Sequence, residues 1–271
     1  MSRRHFLLLP VVCTAILIGS CGVQLAQSDW THGFDYVSLI AKCMACAGVI
    51  TAARSFARGD YMRHAFSLYA ITFVCLVIRD IFALVPPLRA AFEAAHAFEM
   101  VWRILFVVAN LAGVSAAFML ARAAKLALFD AEEAPYRGIL WQGLAWLIGL
   151  VLTGPAIVVA LTDLREGRLH SFVVLFGSLA DLSVFVLAVP VVRLAYALRG
   201  GLLGLPWTLI AAARICWLIR DSFGVAPAWL WQHGTFVLVA EIARTLACTC
   251  DFSAGLAFRH VFGKADDVSE E

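Results

Sequence analysis

The chain has 271 residues, 62% of them apolar and 15% charged, with a mean hydropathy of +0.87. Soluble domains run about 45–50% apolar and about 25% charged, so this composition excludes a soluble globular fold and a disordered chain. A formal charge of +2, with no Lys/Arg stripe outside the membrane-flanking loops, excludes nucleic-acid recognition as the main task. What remains is a polytopic membrane protein whose first partner is the lipid bilayer.

A helix needs about 20 apolar residues to cross the hydrocarbon core. Eight windows meet that length in chain order: 6–26, 36–56, 65–86, 98–121, 139–162, 171–194, 207–225 and 236–258. They are continuous apolar runs, whereas a β-barrel would show short alternating segments. The predicted fold class is all-α, a polytopic helical membrane protein of eight transmembrane helices. Its first window carries two further patterns. Ser2-Arg3-Arg4-His5-Phe6-Leu7 resembles a twin-arginine export signal, and Ile18-Gly19-Ser20-Cys21 resembles a bacterial lipobox. Together they would make residues 1–20 a cleaved signal with Cys21 lipidated. The simpler expectation is a first span with a basic cytoplasmic anchor.

Basic residues give the direction of insertion. With the N-terminus inside, the inner segments hold Arg3, Arg4, Arg54, Arg58, Arg63, Arg122, Lys125, Arg137, Arg193, Arg199, Arg259 and Lys264. The outer loops hold only Arg89, Arg165 and Arg168. This bias predicts that both termini are cytoplasmic. Trp30, Tyr36, Trp229 and Trp231 fall at outer ends and Tyr61, Trp141 and Trp207 at inner ends, where amphipathic rings suit the interface. Eighteen Arg against three Lys, in an Ala-rich chain, suggests a GC-rich bacterial genome and an inner-membrane location.

The segment from Cys75 to Pro86 (CLVIRDIFALVP) recurs from Cys216 to Pro227 (CWLIRDSFGVAP), an offset of 141 without a gap. Residues 68–86 share eight identities in nineteen positions with their counterparts, among them Cys, Arg-Asp and Pro, which apolar composition alone does not supply. Arg58-Gly59 also meets Arg199-Gly200, and Arg103 meets Arg244. The expected organisation is therefore residues 1–121 as a first four-helix repeat, 122–138 as a cytoplasmic linker, 139–260 as a second repeat and 261–271 as an acidic tail. Four spans per unit is an even number, so both halves insert in the same direction as parallel repeats. Within the linker, Glu132-Glu133-Ala-Pro-Tyr-Arg137-Gly138 matches the first motif of CAAX-type intramembrane proteases. The later histidine motifs of that family do not follow, and Pro135 interrupts the segment, so a charged linker is expected.

The repeat places charges where they are expensive. Arg79 and Asp80 fall about 9 Å below the outer end of the third window, at 1.5 Å per residue. Glu99 and Arg103, an acid-first i,i+4 pair, sit at similar depth in the fourth. Arg220, Asp221, Glu241 and Arg244 are their counterparts in the second half. Each would cost about 2.5–3.5 kcal/mol at the helix centre, so the eight are expected to face the bundle interior or a wet cavity. There they are either a self-neutralised network that fixes helix register or a site for a small, anionic solute, because arginine suits carboxylates and phosphates. Lys42, Asp181, Arg214 and Asp251 break the repeat symmetry, Asp251 standing where the first half has Asn110. Asp181 and Asp251 are the candidate proton-coupling residues, with Lys42 or Arg214 as the expected partners if they are structural.

His32, His96, His170 and His233 fall one to each outer connection, without the spacing of a metal or haem site, so no metal ligand and no cofactor is assigned. Cys43-x-x-Cys46 is the single redox-like motif, and small packing residues are the simpler reading. Pro155 and Pro190 are expected to kink the fifth and sixth spans. No ATP-binding loop, nucleophile elbow or zinc-protease helix is present, so enzymatic activity is not the favoured class. The leading expectation is a transporter-like or permease-like protein with an outward-facing charged site. The alternatives are a membrane subunit or sensor acting with a soluble cytoplasmic partner or as a homo-oligomer, and an intramembrane haem- or metal-binding redox protein.

Overall fold

The structure, a computed structural model, describes residues 3–25, 30–87, 98–128, 135–168, 171–224 and 233–262. Among these residues it is all-helical, with eight long helices. They are α1 (Arg3–Leu25), α2 (Trp30–Arg54), α3 (Tyr61–Leu84), α4 (Phe98–Leu128), α5 (Pro135–Arg165), α6 (Ser171–Ala197), α7 (Gly204–Gly224) and α8 (Gly234–Phe262). Each coincides with one apolar window. Helix α4 continues to Leu128, and Pro135 opens α5 at the first helical position, where its missing N–H costs nothing. Helices α5 and α6 run unbroken through Pro155 and Pro190. Arg89, His96, His170, Trp229, Trp231, Glu132, Glu133 and the acidic tail lie outside the described residues.

Among the described residues five helical stretches are long and apolar enough to cross a membrane: Phe34–Arg54, Tyr61–Leu84, Glu99–Leu128, Gly138–Arg165 and Ser171–Ala197. The apolar part of α1, Pro10–Val23, is shorter. Helices α7 and α8 are long enough but more charged, with Arg214, Arg220 and Asp221 in one and Glu241, Arg244, Asp251 and Arg259 in the other. The outward surface is apolar: Ile139, Leu140, Val151 and Val158 of α5 are largely exposed. Such a face suits hydrocarbon rather than water, and the helices are those expected of an integral membrane protein.

The helix pairings trace a closed ring: α2 packs on α3, α3 on α4, α4 on α6, α6 on α7, α7 on α8, and α8 back on α2. Helix α1 lies outside against α2 and α8, and α5 lies outside against α6. The tightest crossing is α2 with α8. A Cβ at Gly255 would stand 1.9 Å from the Gly48 carbonyl oxygen, and one at Gly48 would stand 2.4 Å from the Phe252 Cα. Without a hydrophobic force between helices in lipid, such small-residue crossings let the backbones approach and supply van der Waals contact. The α2–α3 turn is made by Gly59, at φ +88°, and by the Asp60 carboxylate, which accepts from the Met62 N–H at 2.7 Å. At one end of the ring Phe66 and Phe258 sit 4.9 Å apart in an edge-on pair, with Phe56, Phe262 and Trp207 around them. This aromatic cluster ties α3, α7 and α8 together and closes that end.

Gly255→Val should therefore lower the midpoint of thermal unfolding in detergent sharply, an overpacking cost of at least about 1–3 kcal/mol. Gly143→Ala, with nothing within 4 Å of the new methyl group, should leave it unchanged. Equal midpoints for the two variants would contradict the close crossing.

Candidate functional site

Inside the ring lies a cavity of about 330 Å³. Helices α2, α3, α4, α6, α7 and α8 all contribute to its wall. Five cations line it: Lys42, Arg79, Arg214, Arg220 and Arg244. Two carboxylates line it as well, Asp181 and Asp221, beside Phe73, Phe106, Phe185 and Trp217. Toward the aromatic end the space narrows to an apolar crevice of about 10 Å³ beyond Tyr69 and Arg214, with Leu120, Val191 and Ile210 on its walls.

Three clusters hold Lys42, Arg79, Arg214 and Arg244 in place. In the first, Lys42 of α2 donates to Asp80 of α3, and Arg79 donates to the same carboxylate from Nε at 3.1 Å and from a terminal nitrogen at 2.9 Å. The Arg79 guanidinium also lies 5.7 Å from the Trp102 ring centre on α4. In the second, Asp251 of α8, only 1% exposed, accepts from Tyr69 Oη, from Arg214 at 3.1 and 3.3 Å, and from Trp217 Nε1 at 3.4 Å. Arg214 stacks 4.3 Å from the Tyr69 ring centre, so one carboxylate ties α3, α7 and α8. In the third, Arg244 donates to Glu241 at 2.6 Å on its own helix and to Ser38 Oγ at 2.6 Å on α2. Every carboxylate in these clusters has a cationic donor, as a charge in a low-dielectric interior requires.

Asp181 and Asp221 differ. They are close enough to act on each other electrostatically, and Arg220 acts on both. Neither accepts a hydrogen bond or makes an ion-pair contact among the described residues.

Of the eight residues expected to form the charge layer, six lie on or directly behind this cavity: Arg79, Asp80, Arg220, Asp221, Glu241 and Arg244. Glu99 and Arg103 do not. They pair with each other in the first turns of α4, with the Glu99 side chain 74% and the Arg103 side chain 37% exposed. A carboxylate at a helix N-terminus is favourable there, so this pair needs no interior partner. The symmetry-breaking residues divide. Lys42 serves Asp80 rather than Asp181 or Asp251, Arg214 serves Asp251, and Asp181 is left facing the cavity. Tyr69, Trp217 and Ser38 complete the clusters and were not singled out in the sequence. The available signal was that Tyr69 meets Ile210 and Ser38 meets Leu179 at the 141-residue offset, so both are polar only in the first half.

All eight cysteines are free, Cys43 exposed and Cys46 partly buried, and no group of histidine, cysteine or acidic side chains among the described residues is placed to hold a metal. His233 is exposed. Compared with known protein families, curated proteins and solved structures, the chain matches none.

Asp251→Asn should cost about 3–5 kcal/mol, because it leaves the Arg214 guanidinium buried without its counter-charge. Glu99→Gln should cost under about 1 kcal/mol, as expected for an exposed pair. Thermal unfolding of both variants in one detergent checks the contrast, and a small effect of Asp251→Asn would contradict the clamp.

Proposed function

We propose that the chain is an integral membrane protein of the transporter or permease type, and that the central cavity is the binding site for a small solute that carries an anionic group. The observation that carries this reading is the cavity itself: five cations converge on a 330 Å³ space at the centre of a six-helix ring. A network that served only helix register would be expected to close on itself. Here Arg79, Arg214, Arg220 and Arg244 border open space, and arginine recognises carboxylate and phosphate groups well.

In this reading all eight helices span the bilayer, as two parallel repeats about an axis along the membrane normal. The helix pairings support it. Exchanging α1–α4 for α5–α8 carries the α2–α3, α3–α4 and α2–α8 contacts onto α6–α7, α7–α8 and α6–α4. Gly59 and Gly200, 141 residues apart, both adopt positive φ in the turn between the second and third helices of their halves. The positive-inside bias then puts both termini in the cytoplasm of a bacterial inner membrane. It sets the charged end of the cavity toward the outside and the apolar crevice toward the inside. Asp181, on the wall and without a hydrogen-bond donor among the described residues, is the proton-coupling candidate; Asp251 acts as the clamp for Arg214.

Small anions, tested as the sodium salts of acetate, lactate, phosphate and sulfate at matched ionic strength, should raise the unfolding temperature of the purified protein. Arg220→Gln should remove that shift, and Arg103→Gln, outside the cavity, should keep it. The reading fails if no solute with an anionic group, simple anion or zwitterion, shifts the midpoint, or if folded Arg220→Gln retains the whole shift.

A further inference from the structure

The charge inventory of the cavity is more specific than an excess of cations. The five cations are matched by five carboxylates, counting those directly behind the wall. Three of the carboxylates are taken up by the clusters, and Asp181 and Asp221 are not. The wall thus offers a cationic pole and an anionic pole to the same space.

A solute carrying only negative charge would satisfy the arginines and meet two carboxylates, an arrangement that electrostatic complementarity penalises. A solute carrying only positive charge would meet the opposite conflict. A zwitterion satisfies both poles. It also brings no net charge into a low-dielectric site. The donors are available: Arg214 gives Asp251 a single terminal nitrogen, and its guanidinium still borders the cavity. Phe73, Phe106 and Trp217 supply an apolar wall for a hydrocarbon or aromatic group. The volume is at the small end of ligand pockets, which run about 300–1,000 Å³.

We infer that the solute is a small zwitterion of the α-amino-acid class with an apolar side chain. Its carboxylate lies against Arg214 and Arg220, its ammonium against Asp181 and Asp221, and its side chain against the aromatic wall. This inference rests on the solute-binding reading of the cavity and narrows its ligand.

The test compares three forms of one molecule on the full-length protein in detergent. L-phenylalanine keeps both charges, 3-phenylpropanoate lacks the ammonium and 2-phenylethylamine lacks the carboxylate; L-alanine, propanoate and ethylamine form a smaller set. Binding is followed by thermal shift and by calorimetric titration. In at least one set the amino acid should bind about tenfold or more tightly than either single-charge form, a tenfold step being about 1.4 kcal/mol. Asp181→Asn should erase that advantage without weakening the binding of the des-amino anion, which loses a like-charge neighbour. Asp221→Asn serves the same purpose if the first variant does not fold. Equal or tighter binding of the des-amino anion overturns the zwitterion and leaves the anion reading standing. Binding of none of the six compounds, together with no response to the inorganic anions, overturns both.

Discussion

A charge in hydrocarbon is the constraint on which the arrangement depends. Lipid offers no water to solvate an ion, and each charged side chain at the centre of a span costs about 2.5–3.5 kcal/mol. The chain nevertheless places ten ionisable groups around one space between its helices. The cost is offset by pairing: Lys42 and Arg79 share Asp80, Arg214 takes Asp251, and Arg244 takes Glu241. Lys42–Asp80 and Arg214–Asp251 cross from helix to helix, and Arg244 also reaches Ser38 on α2, so α2, α3, α7 and α8 and the charges between them specify each other. A helix rotated by one position would turn a guanidinium toward lipid.

Fixed and uncommitted groups are separated within that layer. Asp251 accepts from three side chains on two other helices and is fully buried, so it holds the floor of the cavity rigidly. Among the described residues Asp181 and Asp221 accept no hydrogen bond, and both border the open space. Below Arg214 and Tyr69 the packing becomes small and apolar, and the Phe66–Phe258 cluster seals that end. On the α2–α8 side the ring is held by direct backbone approach at Gly48 and Gly255. In the proposed account, a solute held at the charged end reaches the other side only if this apolar stopper parts.

Much of the fold was legible in the sequence because hydropathy reports a one-dimensional constraint. A run of about 20 apolar residues forms a helix wherever it lies, and each of the eight windows is one. Their edges moved where polar residues continue a helix beyond the apolar run, as at Arg122 to Leu128. The charged residues were visible for the same reason: a span that tolerates Arg79-Asp80 or Arg220-Asp221 must shelter them. Which side chains meet was not legible, since it depends on helix rotation and neighbour choice. Hence Lys42 found Asp80 rather than Asp181. Glu99 and Arg103 face outward although Glu241 and Arg244 are buried, because α4 begins at Phe98 and its first turn lies at the end of the helix. The neutral partners Tyr69, Trp217 and Ser38 carry no charge to flag them, and only the asymmetry of the repeat hinted at two of them.

The central claim is that the buried charges border a space that water can enter. Cysteine accessibility tests it most directly, in a chain whose eight native cysteines are replaced. Asn110→Cys sits on the cavity wall of α4, and Phe118→Cys sits on its outward, apolar face. A water-soluble, membrane-impermeant thiol reagent applied to the membrane-embedded protein should modify the cysteine at 110 and spare the one at 118. Lack of reaction at 110, in protein that still folds, would mean that the charge layer is dry and that the cavity is not a binding site.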